Sequence, residues 1–312
     1  MPEQCGWAGL GGMGSGLAEQ LRQHCSDQGL PAPYVWNRTK AKADTLLASG
    51  CKWADSPADL AKKCSIIFFM LASDAVAEKV FAEIISSRKE AGLVVADSGT
   101  NAPPTAAKLE ALGRDSNPQI TYLATPVFGR PDAVRAGQLL FTVGGEATAR
   151  CRVTPVLEGM GRGVVDIGDQ AEQAAIIKIT GNYFIGNIIQ MLGEGFAIVE
   201  KSGLPKEVLM NIIRLMFNAP SFISYGTNMT NNSFVRTAED PGQPLVNGTK
   251  DVEHAKALGQ ALGVPLPAAD VILGNCKNVV ERGGGQLDWS SACLPIREAS
   301  GTKPDTRLPE SN

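Results

Sequence analysis

Histidine is almost missing. Only His24 and His254 occur in the 312 residues, so a histidine-rich metal site is excluded and no metal is expected. Disulfide and zinc-ribbon patterns are missing too. The seven cysteines form no C-x-x-C pair and no cluster with either histidine, and they read as reduced structural thiols in a reducing compartment, the cytoplasm. Neither sign of charge is in excess: a net charge of −3 gives no reason to expect nucleic acid or an anionic membrane as partner. The first residues hold no basic segment followed by an apolar run, and they are not Arg-rich, so neither a secretory signal nor a transit peptide is expected. The most apolar long stretch, 174–199, contains Lys178, Asn182 and Glu194, which suits a buried helix better than a membrane span.

What is present begins near the start. Residues 4–21, QCGWAGLGGMGSGLAEQL, hold Gly9, Gly11 and Gly14 in G-x-G-x-x-G spacing, between a short apolar run and a helical pattern of Leu17, Ala18 and Leu21. That strand–turn–helix context is what a dinucleotide fingerprint requires. Gly9 would allow the tight turn, Gly11 would let the backbone approach a pyrophosphate, and Gly14 would let helix and strand pack closely. The first N–H groups of the helix would then face the phosphates. The alternative is a plain strand–helix turn.

The length suits two domains, or one large one. Residues 1–168 alternate apolar runs with helical patterns, the signature of βαβ units and a parallel sheet, with strands predicted over 5–8, 34–36, 66–71, 93–97, 120–124, 139–144 and 164–167. Small polar turns at 71–73, 97–101 and 125–130 follow three of them, at the carboxyl ends where open α/β sheets bind ligands; each also reads as an ordinary loop. The second strand ends at Trp36, and Asn37, Arg38 and Thr39 follow without a carboxylate. A carboxylate there would hold the ribose 2′-hydroxyl of NAD, whereas a guanidinium suits the 2′-phosphate of NADP. NADP is therefore favoured, with NAD possible and a merely solvated turn as the alternative. From Asp169 no stop occurs until Gly203-Leu204-Pro205. This predicts a helix of roughly 30 residues, about 45 Å long, bridging two domains and packing on a partner. Helical patterns at 208–217, 246–262 and 268–282 make 169–297 an all-α domain, and the polar, Pro-containing tail 298–312 is expected to be disordered.

Within the long helix Lys178 and Asn182 stand four apart and share a face. Lys178 is flanked by Ile176, Ile177 and Ile179. Desolvation by such neighbours disfavours an ammonium, which suits a general acid/base near neutral pH, and Asn182 would hold a substrate oxygen beside it. The alternative is an exposed lysine on an amphipathic helix. Lys250-Asp251 reads as the opening of a further helix, with Asp251 as a first-turn acid and Lys250 as an anion contact or a surface residue.

Six pieces in one order now stand together: G-L-G-G-M-G at 9–14, N-R-T at 37–39, D-S-G-T-N-A-P at 97–103, T-P-V-F-G-R at 125–130 with A-G-Q-L at 136–139, K-I-T-G-N at 178–182 and K-D-V-E-H-A at 250–255. Over roughly 5–285 the chain resembles the 3-hydroxyisobutyrate dehydrogenase family of β-hydroxyacid dehydrogenases, related to 6-phosphogluconate dehydrogenase. The resemblance implies an α/β Rossmann domain followed by an all-α C-terminal domain, joined by a long interdomain helix, in a homodimer or homotetramer. It implies that Lys178 is the catalytic acid/base and Asn182 its substrate-orienting neighbour. It assigns the cofactor to Gly9, Leu10, Gly11, Gly12, Met13, Gly14, Asn37, Arg38, Thr39, Leu71, Ala72, Thr100 and Lys250, and the substrate to Val127, Phe128, Gly129 and Arg130. The chain also departs from the pattern. Phe128 stands where that family usually has Ser in P-V-S-G-G, Arg130 where it has the last Gly, Gly99 where it has Ser, and Gly181 where Asn is common. Two hydroxyls for a small hydroxy acid are thus missing, the pocket is more apolar, and Arg130 would hold an acid from another angle. The leading expectation is an NADP-dependent oxidoreductase that interconverts a hydroxyl and a carbonyl on a small substrate. The alternatives are an NADPH-dependent reductase of imines or aldehydes, and a non-catalytic NADPH-binding protein. Imine reductases typically carry Asp or Tyr where Lys178 stands.

Overall fold

A computed structural model describes residues 3–237 and 242–302. The chain divides into two compact units within its longest helix, at Met1–Lys178 and Ile179–Asn312.

The first unit alternates strands and helices: β1 (Cys5–Ala8), α1 (Gly14–Asp27), β2 (Tyr34–Trp36), α2 (Asp44–Ala48), β3 (Lys52–Trp53), α3 (Pro57–Lys63), β4 (Ile66–Phe69), α4 (Asp74–Ser87), β5 (Val94–Asp97), α5 (Pro103–Arg114), β6 (Thr121–Ala124), β7 (Val127–Phe128), α6 (Pro131–Arg135), β8 (Leu140–Gly145), α7 (Ala147–Met160) and β9 (Gly163–Gly168). The helix α8 (Ala171–Lys201) begins in this unit and continues into the second. The sheet order is β3-β2-β1-β4-β5-β6-β8-β7, with β9 on β8, and its first six strands are parallel in the Rossmann order. Strands such as Ile66–Phe69 are buried throughout, as strands covered on both faces are. One face packs Leu17, Leu21 and Val153 against the sheet; the other packs Leu60, Phe81 and Leu109.

The expectation of a parallel sheet holds only as far as β6, because β8 runs antiparallel to it. The same register that pairs Leu123 with Gly145 and Ala124 with Gly144 pairs Val127 with Phe141 and Phe128 with Leu140. β7 is therefore the continuation of β6 beyond Thr125-Pro126, along one ladder. Only the short α6 and its flanks separate β7 from β8, too little chain for the crossover that a parallel return needs. Residues 125–130 are thus partly strand where a loop was expected. The two-residue strands β3 and β7 are additions to the predicted set, and β4 ends at Phe69, short of the predicted 71.

The second unit holds the remainder of α8 with α9 (Lys206–Met216), α10 (Pro220–Asn231), α11 (Leu245–Leu262), α12 (Pro267–Glu281) and α13 (Leu294–Ala299). Its core gathers Leu192, Phe196, Met210, Val252, Ile272 and Trp289. A Cβ on Gly248 would come within 2.2 Å of the Trp289 ring, so α11 lies directly on that indole. The tail expected to be disordered from 298 starts too early: Glu298 is helical in α13 and pairs with Arg282 at 2.7 Å. Residues 303–312 lie outside the described residues. Among the described residues no helix is long and apolar enough to cross a membrane.

Candidate active site

The glycine turn after β1 is shaped by its neighbours on the sheet. Gly9 has φ +96°, and a Cβ there would stand 2.3 Å from the Met70 carbonyl oxygen at the end of β4. Only glycine tolerates both conditions. A Cβ on Gly14 would stand 2.1 Å from the Gly9 carbonyl oxygen, so α1 packs backbone to backbone on the turn. The buried Trp7 indole donates to that same Gly9 oxygen at 2.9 Å, and its ring stacks on Phe68 at 6.0 Å between centroids. Gly9 N–H donates to Trp36 O at 2.9 Å, and Leu10 N–H donates to the Asn37 side-chain oxygen at 2.9 Å. Asn37 Nδ2 in turn donates to Thr39 O at 2.9 Å. Leu10 is a core residue, 1% exposed, and its amide is taken by Asn37; Met13 packs against the same core.

Gly11 and Gly12 are different. Both are exposed, and a Cβ on either would meet nothing within 4 Å. Their missing side chains leave backbone open beside the start of α1, the form a pyrophosphate requires. The residues present therefore fit a dinucleotide. Arg38 and Thr39 are exposed just beyond Asn37.

The other turns are joined to this one at the same carboxyl edge. Leu71 Cδ2 lies 3.1 Å from the ideal Gly9 Cβ, and Ser98 N–H donates to Phe69 O at 2.8 Å. Asp74 Oδ2 accepts from Ala102 N at 2.9 Å and from Thr105 Oγ1 at 2.6 Å, tying the turn holding Leu71 and Ala72 to the one holding Thr100. Asp97 is the hub of the latter turn. Its carboxylate accepts from Gly99 N at 2.8 Å, Asn101 Nδ2 at 2.5 Å and Tyr122 Oη at 2.9 Å. Burial pushes this carboxyl up to about 6, against the opposing pull of those three donors. Thr125 N–H donates to Asp97 O at 2.7 Å, and Ser98 and Thr125 hydroxyls share a hydrogen bond at 3.1 Å.

Along this edge β7 carries Phe128, and Lys178 in the second turn of α8 sets its Nζ 4.5 Å from the centroid of the Phe128 ring. Lys178 is 8% exposed, so the exposed-lysine alternative is not what the helix presents. Gly129 has φ +140°, and a Cβ there would meet Leu139 Cδ2 at 2.4 Å. Arg130 lies 3.9 Å from Asp132, with its side chain mostly covered. In the second unit Asn182 Nδ2 donates to Asp251 Oδ2 at 2.6 Å, and Lys250 Nζ stands 3.6 Å from Asp251 Oδ1. Asp251 is 2% exposed and lies in the second turn of α11, which starts at Leu245; the expectation of a first-turn acid is corrected.

The structure thus gathers the glycine turn and the residues at 37–39, 71–72, 100, 127–130 and 178 in the first unit, and Asn182 with Lys250 in the second. Sequence reasoning missed Trp7, Asp74, the hub role of Asp97 and the hold of Asp251 on Asn182. A recess of about 710 Å³, lined among others by Glu110, Tyr122, Glu146 and Glu172, opens at the amino end of β6, away from these turns.

The comparisons with known proteins now add to this geometry. Residues 4–168 match the model of the NAD binding domain of 6-phosphogluconate dehydrogenase. Residues 173–296 match that of the NAD-binding domain of NADP-dependent 3-hydroxyisobutyrate dehydrogenase. An uncharacterized oxidoreductase, YfjR, of Bacillus subtilis is 31% identical over 295 residues, 93% of this chain and 98% of the relative. Glyoxylate/succinic semialdehyde reductase 1 of Arabidopsis thaliana is 27% identical over 302 residues, 94% of this chain and 98% of the relative. In fold, the chain is similar to a crystal structure of 3-hydroxyisobutyrate dehydrogenase from Salmonella typhimurium, with TM-score 0.82 and 22% identity, covering 94% of this chain and 99% of that one. The chain therefore belongs to the β-hydroxyacid dehydrogenase family and is an NAD(P)-dependent oxidoreductase.

Proposed function

We propose that this protein is an NADP-dependent oxidoreductase that interconverts a hydroxyl and a carbonyl on a small substrate, with Lys178 as the acid/base. The observation that carries the reading is a buried lysine on α8, 8% exposed, whose Nζ lies 4.5 Å from the ring centroid of Phe128 on β7. When bound, the nicotinamide cofactor supplies or takes up the hydride. Gly11 and Gly12 receive its pyrophosphate, and Arg38, exposed between Asn37 and Thr39, receives the 2′-phosphate. In reduction Lys178 gives its proton to the carbonyl oxygen as charge develops there; in oxidation it takes the hydroxyl proton. Asn182, its amide oriented by Asp251, hydrogen-bonds the substrate on the same helix face.

Phe128 narrows the substrate class. It supplies a ring where a hydroxyl would receive a hydroxy acid, while Arg130 offers a guanidinium for a carboxylate. We infer a short aldehyde or keto acid, reduced to its alcohol, as the working direction; glyoxylate and succinic semialdehyde are the first compounds to try. Lysine in the catalytic position argues against imines. The assembly is a homodimer or homotetramer, supported by α8, which exposes Ile177, Phe184, Met191 and Ile198 at seven-residue intervals. A sedimentation experiment returning a monomer would overturn that. The seven free cysteines, of which only Cys151 is exposed, support a cytoplasmic setting.

The test of the reaction is Lys178→Ala. Turnover of glyoxylate or succinic semialdehyde should fall by about 10²–10⁴-fold, the usual worth of general acid/base help, while the Kd for NADPH is retained. A variant with near-normal kcat would remove Lys178 from the chemistry.

A further inference from the structure

The ring under Lys178 sits on a rigid element. Phe128 is paired with Leu140 in the ladder that β7 shares with β6. Just before it, Pro126 O accepts from Thr142 N at 3.0 Å and from Thr142 Oγ1 at 3.2 Å. Just after it, Gly129 holds φ +140° where an added Cβ would stand 2.4 Å from Leu139 Cδ2, so the exit of the chain is set as well. Lysine, by contrast, carries its ammonium on a flexible four-carbon stem, and a proton-transfer group must be held in one place to act. A ring face attracts an ammonium when the charge lies within about 6 Å of its centroid, and Lys178 Nζ lies at 4.5 Å from that of Phe128.

We propose that Phe128 is a positioning residue, the π face of its ring holding the Lys178 ammonium at the place from which the proton is transferred. This rests on Lys178 being the acid/base. The hold is electrostatic, so it depends on the electron density of the ring and not only on its bulk.

Three measurements on the full-length protein test it. First, with lysine labelled at Cε, the Lys178 ε-methylene protons should resonate upfield in the cofactor-free protein, and the shift should vanish in Phe128→Leu. A normal resonance in the unmodified protein would overturn the proposal. Second, Phe128→Leu should lower kcat about 3- to 30-fold, the span of a cation–π contact converted to a rate, with the Kd for NADPH unchanged within about twofold. Phe128→Tyr should restore kcat to within about twofold of the starting protein. Third, a Phe128 ring progressively fluorinated, unchanged in shape but drained of electron density, should lower kcat step by step; equal kcat across that series would mean that the ring only fills space, and would overturn the proposal. Failure of the underlying reading looks different: there Lys178→Ala itself retains turnover. Failure of this inference alone is a dead Lys178→Ala beside a normal Phe128→Leu.

Discussion

The glycine turn separates fold from function within six residues, and the separation can be measured. In Gly9→Ala the new methyl group would stand 2.3 Å from the Met70 carbonyl oxygen, on a residue held at φ +96°. The dihedral costs about 1–3 kcal/mol for a non-glycine residue. Forcing apart two strand ends adds about 1–3 kcal/mol more. At roughly 2–4 °C per kcal/mol for a unit of this size, the cofactor-free protein should lose about 5–20 °C in the melting of its first unit. In Gly11→Ala the methyl group meets no atom of the protein, and the backbone there is not left-handed. The apo melting temperature should then move by no more than about 2 °C, since a surface change of this kind lies within about 0.5 kcal/mol. The Kd for NADPH should nevertheless rise at least about tenfold, about 1.4 kcal/mol, because the methyl group fills space that the phosphates need. Differential scanning calorimetry of both apo variants, with NADPH titrations followed by fluorescence, gives the two numbers. An unchanged Kd in Gly11→Ala would refute the assignment of that open backbone to the cofactor. An unchanged melting temperature in Gly9→Ala would refute the packing argument.

Three further outcomes follow from other parts of the site. Arg38→Asp should raise KM for NADPH far more than KM for NADH in paired initial-rate assays; equal effects would reduce Arg38 to a surface turn. Asp251→Asn removes the charge that fixes the Asn182 amide, so kcat should fall about 10- to 100-fold while the Kd for NADPH holds, and a normal kcat would show that the 2.6 Å contact does not order the amide. Asp97, with its carboxyl raised by burial to about 6 against 3.8 in an open chain, binds its proton more tightly folded than unfolded. Its contribution to stability is therefore full below pH 3.8 and lost as the pH rises through about 6. Denaturant titrations should show the advantage of the wild type over Asp97→Asn shrinking across that window by on the order of 3 kcal/mol; a difference independent of pH would mean that the carboxyl is not raised.

Much of the first unit was legible because its strands are continuous apolar runs bounded by turns. β1, with Gly9, Gly11 and Gly14 after it, announces its own chemistry. β3 and β7 escaped because two residues carry no periodicity. The direction of β8 escaped because antiparallel pairing is set by how much chain lies between strands, and Pro131–Arg135 is a helix too short to be seen as such. α10 lies outside the predicted helical patterns because it opens at Pro220, and a proline in the first turn opens a helix as readily as it ends one. Within the site Lys178 and Asn182 were legible by their four-residue spacing, whereas the hold of Asp251 on Asn182 spans 69 positions, which no local pattern records. The support of Trp7 for the glycine turn is only two residues long, but nothing in its type says that its N–H turns back on the backbone.

Asn37 ties the amide of Leu10 to the carbonyl of Thr39. Its oxygen thereby braces the glycine turn, and its nitrogen braces the segment after β2. Replacing that nitrogen by oxygen, as Asn37→Asp does, keeps the acceptor for Leu10 and gives up the donor to Thr39 O, while placing a carboxylate where NAD would want one. A lineage can therefore acquire a carboxylate at this position without first dismantling the glycine turn.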